Sequence, residues 1–190
     1  MLTPDVLRDA FDRALAYEPY VATGKPEHQE NWHAFDQRVK LTEPQRTLLA
    51  SFSRTLHVLA ISGTWCGDCV QQLPFLRHAE AANPERLKVR FLDRDENLEL
   101  AERVRICGGL RVPTVFLLNE DFEFLALAGD RTLSRYRAIA QRQLGPSCPL
   151  PGAPVPDDEI AATLQDWIDE LERAHLMARL STRLRQRHGD

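Results

Sequence analysis

The sequence predicts an α/β protein: a central mixed β-sheet flanked by helices, with extra N-terminal helices and a long C-terminal helix. Three observations carry that expectation. Between Leu56 and Leu144, short apolar runs suited to covered strands alternate with segments of helical spacing, as parallel crossover connections require. The polar turn Asn119-Glu-Asp-Phe122 sits between two such runs and adds an antiparallel pair. The last stretch repeats apolar residues at alternating spacings of four and three, the pattern of a helix with one covered seam.

Composition sets the outer limits. With 190 residues, 43% hydrophobic and 27% charged, the chain can bury a proper core, and one compact domain with appendages is expected. The expected parts are a helical extension over 1–55, an α/β core over 56–145, a Pro-rich linker over 146–156 and an amphipathic helix over 157–190. A net charge of −4 gives no general attraction for nucleic acid. No segment has the length of a membrane span, and Met-Leu-Thr-Pro-Asp-Val has neither a basic start nor an apolar h-region, so no membrane association and a cytoplasmic location are expected.

At the N-terminus, Thr3, Pro4 and Asp5 form a cap, a first-turn proline and an acidic first turn. Leu7, Phe11 and Leu15 then continue a helical stripe to about Tyr17. Residues Pro19 to Glu30 contain Gly24 and Pro26 and are expected to be loop. Trp32, Phe35 and Val39 give a short helical face that covers the sheet or helps line a substrate groove. Thr42 and Gln45 fit a capping box ahead of Leu48, Leu49 and Phe52. The core then follows: strand 56–62, helix 67–82 kinked at Pro74, strand 87–92, helix 97–104, strand 114–118, strand 122–128 and helix 132–144.

After Gly145 the composition shifts: Gly145 to Pro156 holds five of the twelve prolines, an extended linker. Beyond it, Ile160, Leu164, Trp167, Leu171, Ala174 and Ala178 form the seam, expected to pack on the same chain or to form a homodimer contact. Arg179, Arg183, Arg185 and Arg187 are expected to be a solvated basic face at the helix C-terminus.

The stretch that carries chemistry is Ile61-Ser-Gly-Thr-Trp-Cys-Gly-Asp-Cys69. Two cysteines three apart, where a strand hands over to a helix, can close a small disulfide ring. Four cysteines are too few for a disulfide scaffold, and in a reducing compartment such a pair points to catalysis. Cys66 at the helix N-terminus gains from unpaired N–H groups and the helix dipole, which favour a thiolate. Cys69, one turn further in, is the thiol placed to resolve a mixed disulfide.

Trp65-Cys-Gly-Asp-Cys69, with Pro74 five residues later, resembles the active site of the thioredoxin family. The likeness extends through Asp95, Val112-Pro113-Thr114 and Gly129, from about Leu56 to Leu144. It implies a thioredoxin-like fold and a thiol–disulfide oxidoreductase serving cell redox homeostasis. It also implies that Pro113 is cis with the Val112 backbone beside the sulfurs, that Trp65 flanks the substrate, and that Gly67 and Asp68 tune the redox couple. Substrates would be protein or small-molecule disulfides, and the electron donor a thioredoxin reductase or a low-molecular-weight thiol. No organic cofactor or metal is implied. Three positions depart from the family. Asp68 stands where a proline is usual, and its charge disfavours a Cys66 thiolate. Ala60 and Phe91 stand where the family has a buried aspartate and its lysine, leaving Asp68 or water as the visible proton acceptor for Cys69. Cys107 and Cys148 are expected to be inert thiols or a second redox pair. A thioredoxin-fold adaptor with an incidental or redox-sensing CxxC is the competing reading.

Overall fold

The computed structural model describes residues 2–144 and 156–189, so most of the Pro-rich linker, and Cys148 within it, lie outside the described residues. Four strands, β1 (Leu56–Ser62), β2 (Leu87–Asp93), β3 (Thr114–Leu118) and β4 (Phe124–Ala128), form one sheet in the order β2-β1-β3-β4. β1 and β2 are parallel, joined by a crossover through α5 (Gly67–Val70) and α6 (Leu73–Ala82). The β1–β3 and β3–β4 pairs are antiparallel. The fold is therefore the expected mixed sheet with helices around it. β1 is buried at every position but His57, which explains why it presents an apolar run rather than an alternating one.

The N-terminal extension differs from expectation in its breaks. Helix α1 (Pro4–Arg13) stops four residues short of Tyr17 because Ala14 turns extended and Leu15 pairs with the outer edge of β2. Leu15 N donates to Phe91 O at 3.0 Å and Phe91 N to Leu15 O at 2.8 Å. A sheet edge that would otherwise face solvent is thereby partly satisfied. The segment expected to be loop holds two helices, α2 (Tyr17–Ala22) and α3 (Pro26–Asp36). Its prolines occupy first-turn positions, where a missing N–H removes no intrahelical bond, so they begin helices instead of breaking them. α4 (Glu43–Ala50) carries the expected capping box between Thr42 and Gln45.

After β2 come the short α7 (Leu98–Glu102), the β3–β4 hairpin and α8 (Leu133–Leu144). α9 (Asp157–Leu180) buries all six seam residues. They face the same chain: α9 packs against α8, β4, α6, α4 and β3. The helix does not run on to the end of the chain. Ser181 is extended and caps α10 (Thr182–His188), which turns back onto the β3–β4 hairpin. There Arg183 pairs with Glu123 and Arg187 lies 3.2 Å from Asp121, so two of the arginines expected to be solvated hold a contact. Among the described residues no helix is long and apolar enough to cross a membrane.

Candidate active site

β1 delivers the chain into Gly63-Thr64-Trp65, and Cys66 follows as the N-cap of α5. The turn is tight: Cys66 N donates to Gly63 O at 3.0 Å, and a Cβ on Gly63 would lie 2.7 Å from the Trp65 ring. The N-terminal extension holds this turn from beneath. Trp32 is fully buried and donates its Nε1 proton to Thr64 O at 2.9 Å, so it supports the loop and lines no groove. Gly24 contributes a second close approach, with space for a Cβ only 2.9 Å from that of Thr64. The helix after the turn is expected to be continuous from 67 to 82 but breaks at Gln71–Gln72. Pro74 falls in the first turn of the new helix, which spares the clash its ring would cause inside a longer one.

The two thiols sit in opposite environments. Cys66 is partly exposed and Cys69 fully buried, and both are free. The Cys69 thiol donates to Cys66 and is the largest influence drawing Cys66 down to about 7; burial opposes it, and the backbone N–H groups of Cys69 and Asp68 assist. Burial pushes Cys69 well above the ordinary thiol range, and its interaction with Cys66 adds to that. At neutral pH about half of Cys66 is thiolate, while Cys69 stays protonated.

Around Cys66 the sequence-expected residues come together. The Val112–Pro113 peptide is cis, and Val112 O lies 3.6 Å from Cys66 Sγ. Trp65 is 47% exposed beside it, with the Arg94 guanidinium 4.8 Å above its ring. Gly67 faces open space. Cys107 is exposed on the loop before Val112, at φ 48°. Ala60 and Phe91 are directly paired across β1 and β2 and both are buried, so that pair brings no charge to Cys69.

Asp68 occupies a position that its neighbours in sequence do not reveal. Both carboxylate oxygens are engaged, one by Arg131 at 2.6 Å and the other by Arg135 at 2.9 Å. With each oxygen already accepting from a guanidinium, the geometry gives little support to the expected role of Asp68 as acceptor for the Cys69 proton. Arg135 is itself buried and reaches Glu159 in the first turn of α9 at 3.4 Å, while Arg142 holds the other Glu159 oxygen at 2.5 Å. The active-site helix is thus tied to the C-terminal helix by a chain of charges. Gln72, fully buried, adds a neutral tie: its Nε2 donates to Asp130 O at 2.8 Å and its Oε1 accepts from Thr132 N at 3.1 Å. Arg131, Arg135 and Gln72 escaped the sequence reading. The signals available were a glutamine at the break in the active-site helix and arginines just before and within the first turn of α8. Among the described residues no group of three or more His, Cys, Asp or Glu side chains is gathered to hold a metal ion.

Comparison with known proteins agrees with the fold. The family model described as thioredoxin matches residues 14–136, beginning well upstream of Leu56 and so including part of the N-terminal extension. A protein of unknown function from Pseudomonas aeruginosa, known from its crystal structure, is similar at a TM-score of 0.63 and 21% identity over 92% of this chain and 93% of that one. The crystal structure of an HIV epitope-scaffold is similar at a TM-score of 0.60 and 22% identity, over 88% of this chain and 92% of that one. A search of the curated proteins finds no match.

Proposed function

The chain belongs to the thioredoxin family, and from that premise we propose that it is a thiol–disulfide oxidoreductase acting through Cys66 and Cys69. The observation that carries the reading is the split between the two sulfurs. A partly exposed thiol drawn down to about 7 at a helix N-terminus lies three residues from a buried one held protonated. The Cys66 thiolate attacks a substrate disulfide, forming a mixed disulfide and releasing the first substrate thiolate. Cys69, losing its proton, then attacks Cys66 Sγ; the Cys66–substrate bond breaks, the Cys66–Cys69 bond forms and the second substrate thiolate leaves. An external donor, a reductase or a low-molecular-weight thiol of the cytoplasm, returns two electrons.

Val112 and Pro113 supply backbone beside Cys66 for an extended peptide to pair with, and Trp65 with Arg94 above it forms a wall of the substrate surface. Asp68 tunes the couple through its charge. The test is substrate trapping. Cys69→Ser removes the resolving thiol and is expected to accumulate reductant-sensitive adducts with defined proteins in acid-quenched, alkylated cells. Cys66→Ser leaves only the buried, protonated thiol and is expected to trap almost none. Equal or absent trapping by both variants would overturn the assignment and favour an adaptor role for the fold.

A further inference from the structure

If the chain is an oxidoreductase, an extended substrate pairs with backbone beside Cys66, and that backbone has no ladder to place it. Leu110 to Pro113 belong to no helix or strand, yet the Val112 carbonyl must stay within reach of Cys66 Sγ, 3.6 Å away. Side chains do the placing. Arg94, whose guanidinium lies over Trp65, donates from Nη1 to Leu110 O at 3.1 Å. Thr114 Oγ1 donates to Arg111 O at 2.9 Å. The Arg111 side chain leaves the segment altogether and donates from Nη1 to Asp130 Oδ2 at 2.8 Å.

Asp130 follows Gly129 just past the end of β4. Continuing the antiparallel register beyond the Ala128–Val115 pair brings these two residues level with Thr114 and Pro113. Asp130 is 4% exposed, and an acid this deep is costly unless its oxygens are paired. Each of them is. Oδ1 accepts from the Tyr136 hydroxyl of α8, Oδ2 from Arg111, and the backbone O from Gln72 Nε2 at 2.8 Å. Gln72 Nε2 also donates to Asp68 O at 3.2 Å, one residue before Cys69. Burial works to raise the Asp130 carboxyl, but the bonds from Tyr136 and Arg111 outweigh it and hold it below the ordinary carboxylate range. One buried, ionised residue therefore joins the cis-proline loop, the break in the active-site helix and α8.

We infer that Asp130 is a positioning residue for peptide substrates: through Arg111 it fixes the Val112 backbone against the active-site helix, at the spacing that lets an extended chain pair there while its sulfur meets Cys66. It touches neither sulfur. The acidity of Cys66 is set by the Cys69 thiol, by burial and by the backbone N–H groups of Cys69 and Asp68, none of which the Arg111–Asp130 contact supplies. Cutting that contact leaves the thiolate as reactive as before and leaves Arg94 and Thr114 to hold the loop. The loss then falls on substrates that use the loop backbone, and a small disulfide without a peptide chain is spared.

The test compares two substrates with the same leaving group: an uncharged extended peptide whose central cysteine carries thionitrobenzoate, and N-acetylcysteine amide carrying the same group. In both, the Cys66 thiolate attacks the cysteine sulfur, the bond to thionitrobenzoate breaks and that more acidic thiol leaves as the coloured thiolate, followed by stopped flow. Cys107 and Cys148 are replaced by serine so that colour reports Cys66. The parent protein is expected to react with the peptide on the order of tenfold faster, the worth of one or two backbone hydrogen bonds. Arg111→Met and Asp130→Ala should each lose most of that preference, by raising the half-saturating peptide concentration with the maximal rate little changed. The rate with N-acetylcysteine amide and a Cys66 midpoint near 7 should be kept. Arg111→Lys, which restores a cation for Asp130, should recover part of the preference, and the double variant should be no worse than the worse single one, because both cut one contact. Arg111 is partly exposed, so Arg111→Met serves alone if Asp130→Ala folds poorly. A parent protein without preference, a preference kept in the variants, equal losses on both substrates or a moved midpoint would overturn the proposal. Mass spectrometry of the product tests the underlying reading separately. An oxidoreductase releases the peptide thiol as the Cys66–Cys69 bond forms, whereas a peptide that stays on Cys66 in the parent protein would overturn the oxidoreductase reading, and the positioning role with it, even with the preference intact.

Discussion

The Cys69 thiol is the largest single influence drawing Cys66 down to about 7, so deleting it has a calculable consequence. Cys69→Ala removes the donor, and Cys69→Ser keeps a hydroxyl donor of similar size; neither variant can resolve, so both report the first attack alone. In the limit where Cys69→Ala returns Cys66 to the free-thiol value of about 8.5, its thiolate fraction at pH 7 falls from about one half to about 3%, or roughly 16-fold. The more basic thiolate is intrinsically more nucleophilic by about fivefold, for a Brønsted slope of 0.4–0.5. The expected net effect is mixed-disulfide formation about threefold slower at pH 7, crossing over to about fivefold faster above pH 9.5. The sign follows from the lowered acidity: the reactive form dominates above the midpoint, so the rate rises through it and then levels. The assay is the pH profile of reaction with a small disulfide, read at the Cys66 peptide by mass spectrometry so that Cys107 and Cys148 do not contribute. Cys69→Ser should keep its midpoint near 7, with Cys69→Ala moving towards 8.5. A Cys69→Ala midpoint that stays near 7 would refute the reasoning and assign the thiolate to the α5 backbone N–H groups alone.

Two further outcomes are expected from the charges around Asp68. Asp68→Asn removes a carboxylate that opposes the Cys66 thiolate and takes one charged partner from each of two guanidiniums, changes of one sign that favour the reduced form. The potential should rise, by about 30 mV for each tenfold change in the equilibrium, when titrated against a glutathione buffer; a fall would count against this account. Arg135→Met strands neither acid completely, since Asp68 keeps Arg131 and Glu159 keeps Arg142, but both lose a buried partner. A loss of about 2–3 kcal/mol in denaturant unfolding is expected, just below the range for breaking a buried pair outright, and a loss under about 0.5 kcal/mol would show the chain of charges to be incidental.

Much of the fold was legible because it is written in local patterns. The β1 run, the Thr42–Gln45 capping box, the α9 seam and the paired cysteines at a strand-to-helix junction each depend on residues within a few positions of one another. The prolines at 19 and 26 misled for a related reason: the same residue that stops a helix from within is welcome at its start, and only the location of the helix decides which effect applies.

The sequence by itself determined the strand and helix alternation, the position of the CxxC turn, and the replacement of the family's buried acid by Ala60. Tertiary structure alone decided where α1 stops, since Leu15 leaves the helix to pair with Phe91 across more than seventy residues. It decided that Trp32 holds the active-site loop, that Asp68 meets arginines 63 and 67 residues away, and that Tyr20 stacks on Phe91. The physical reason is common to all of them. Backbone preference and hydrophobic period act between neighbours in the chain, whereas the partner of a buried hydroxyl or charge depends on which faces the completed core brings together.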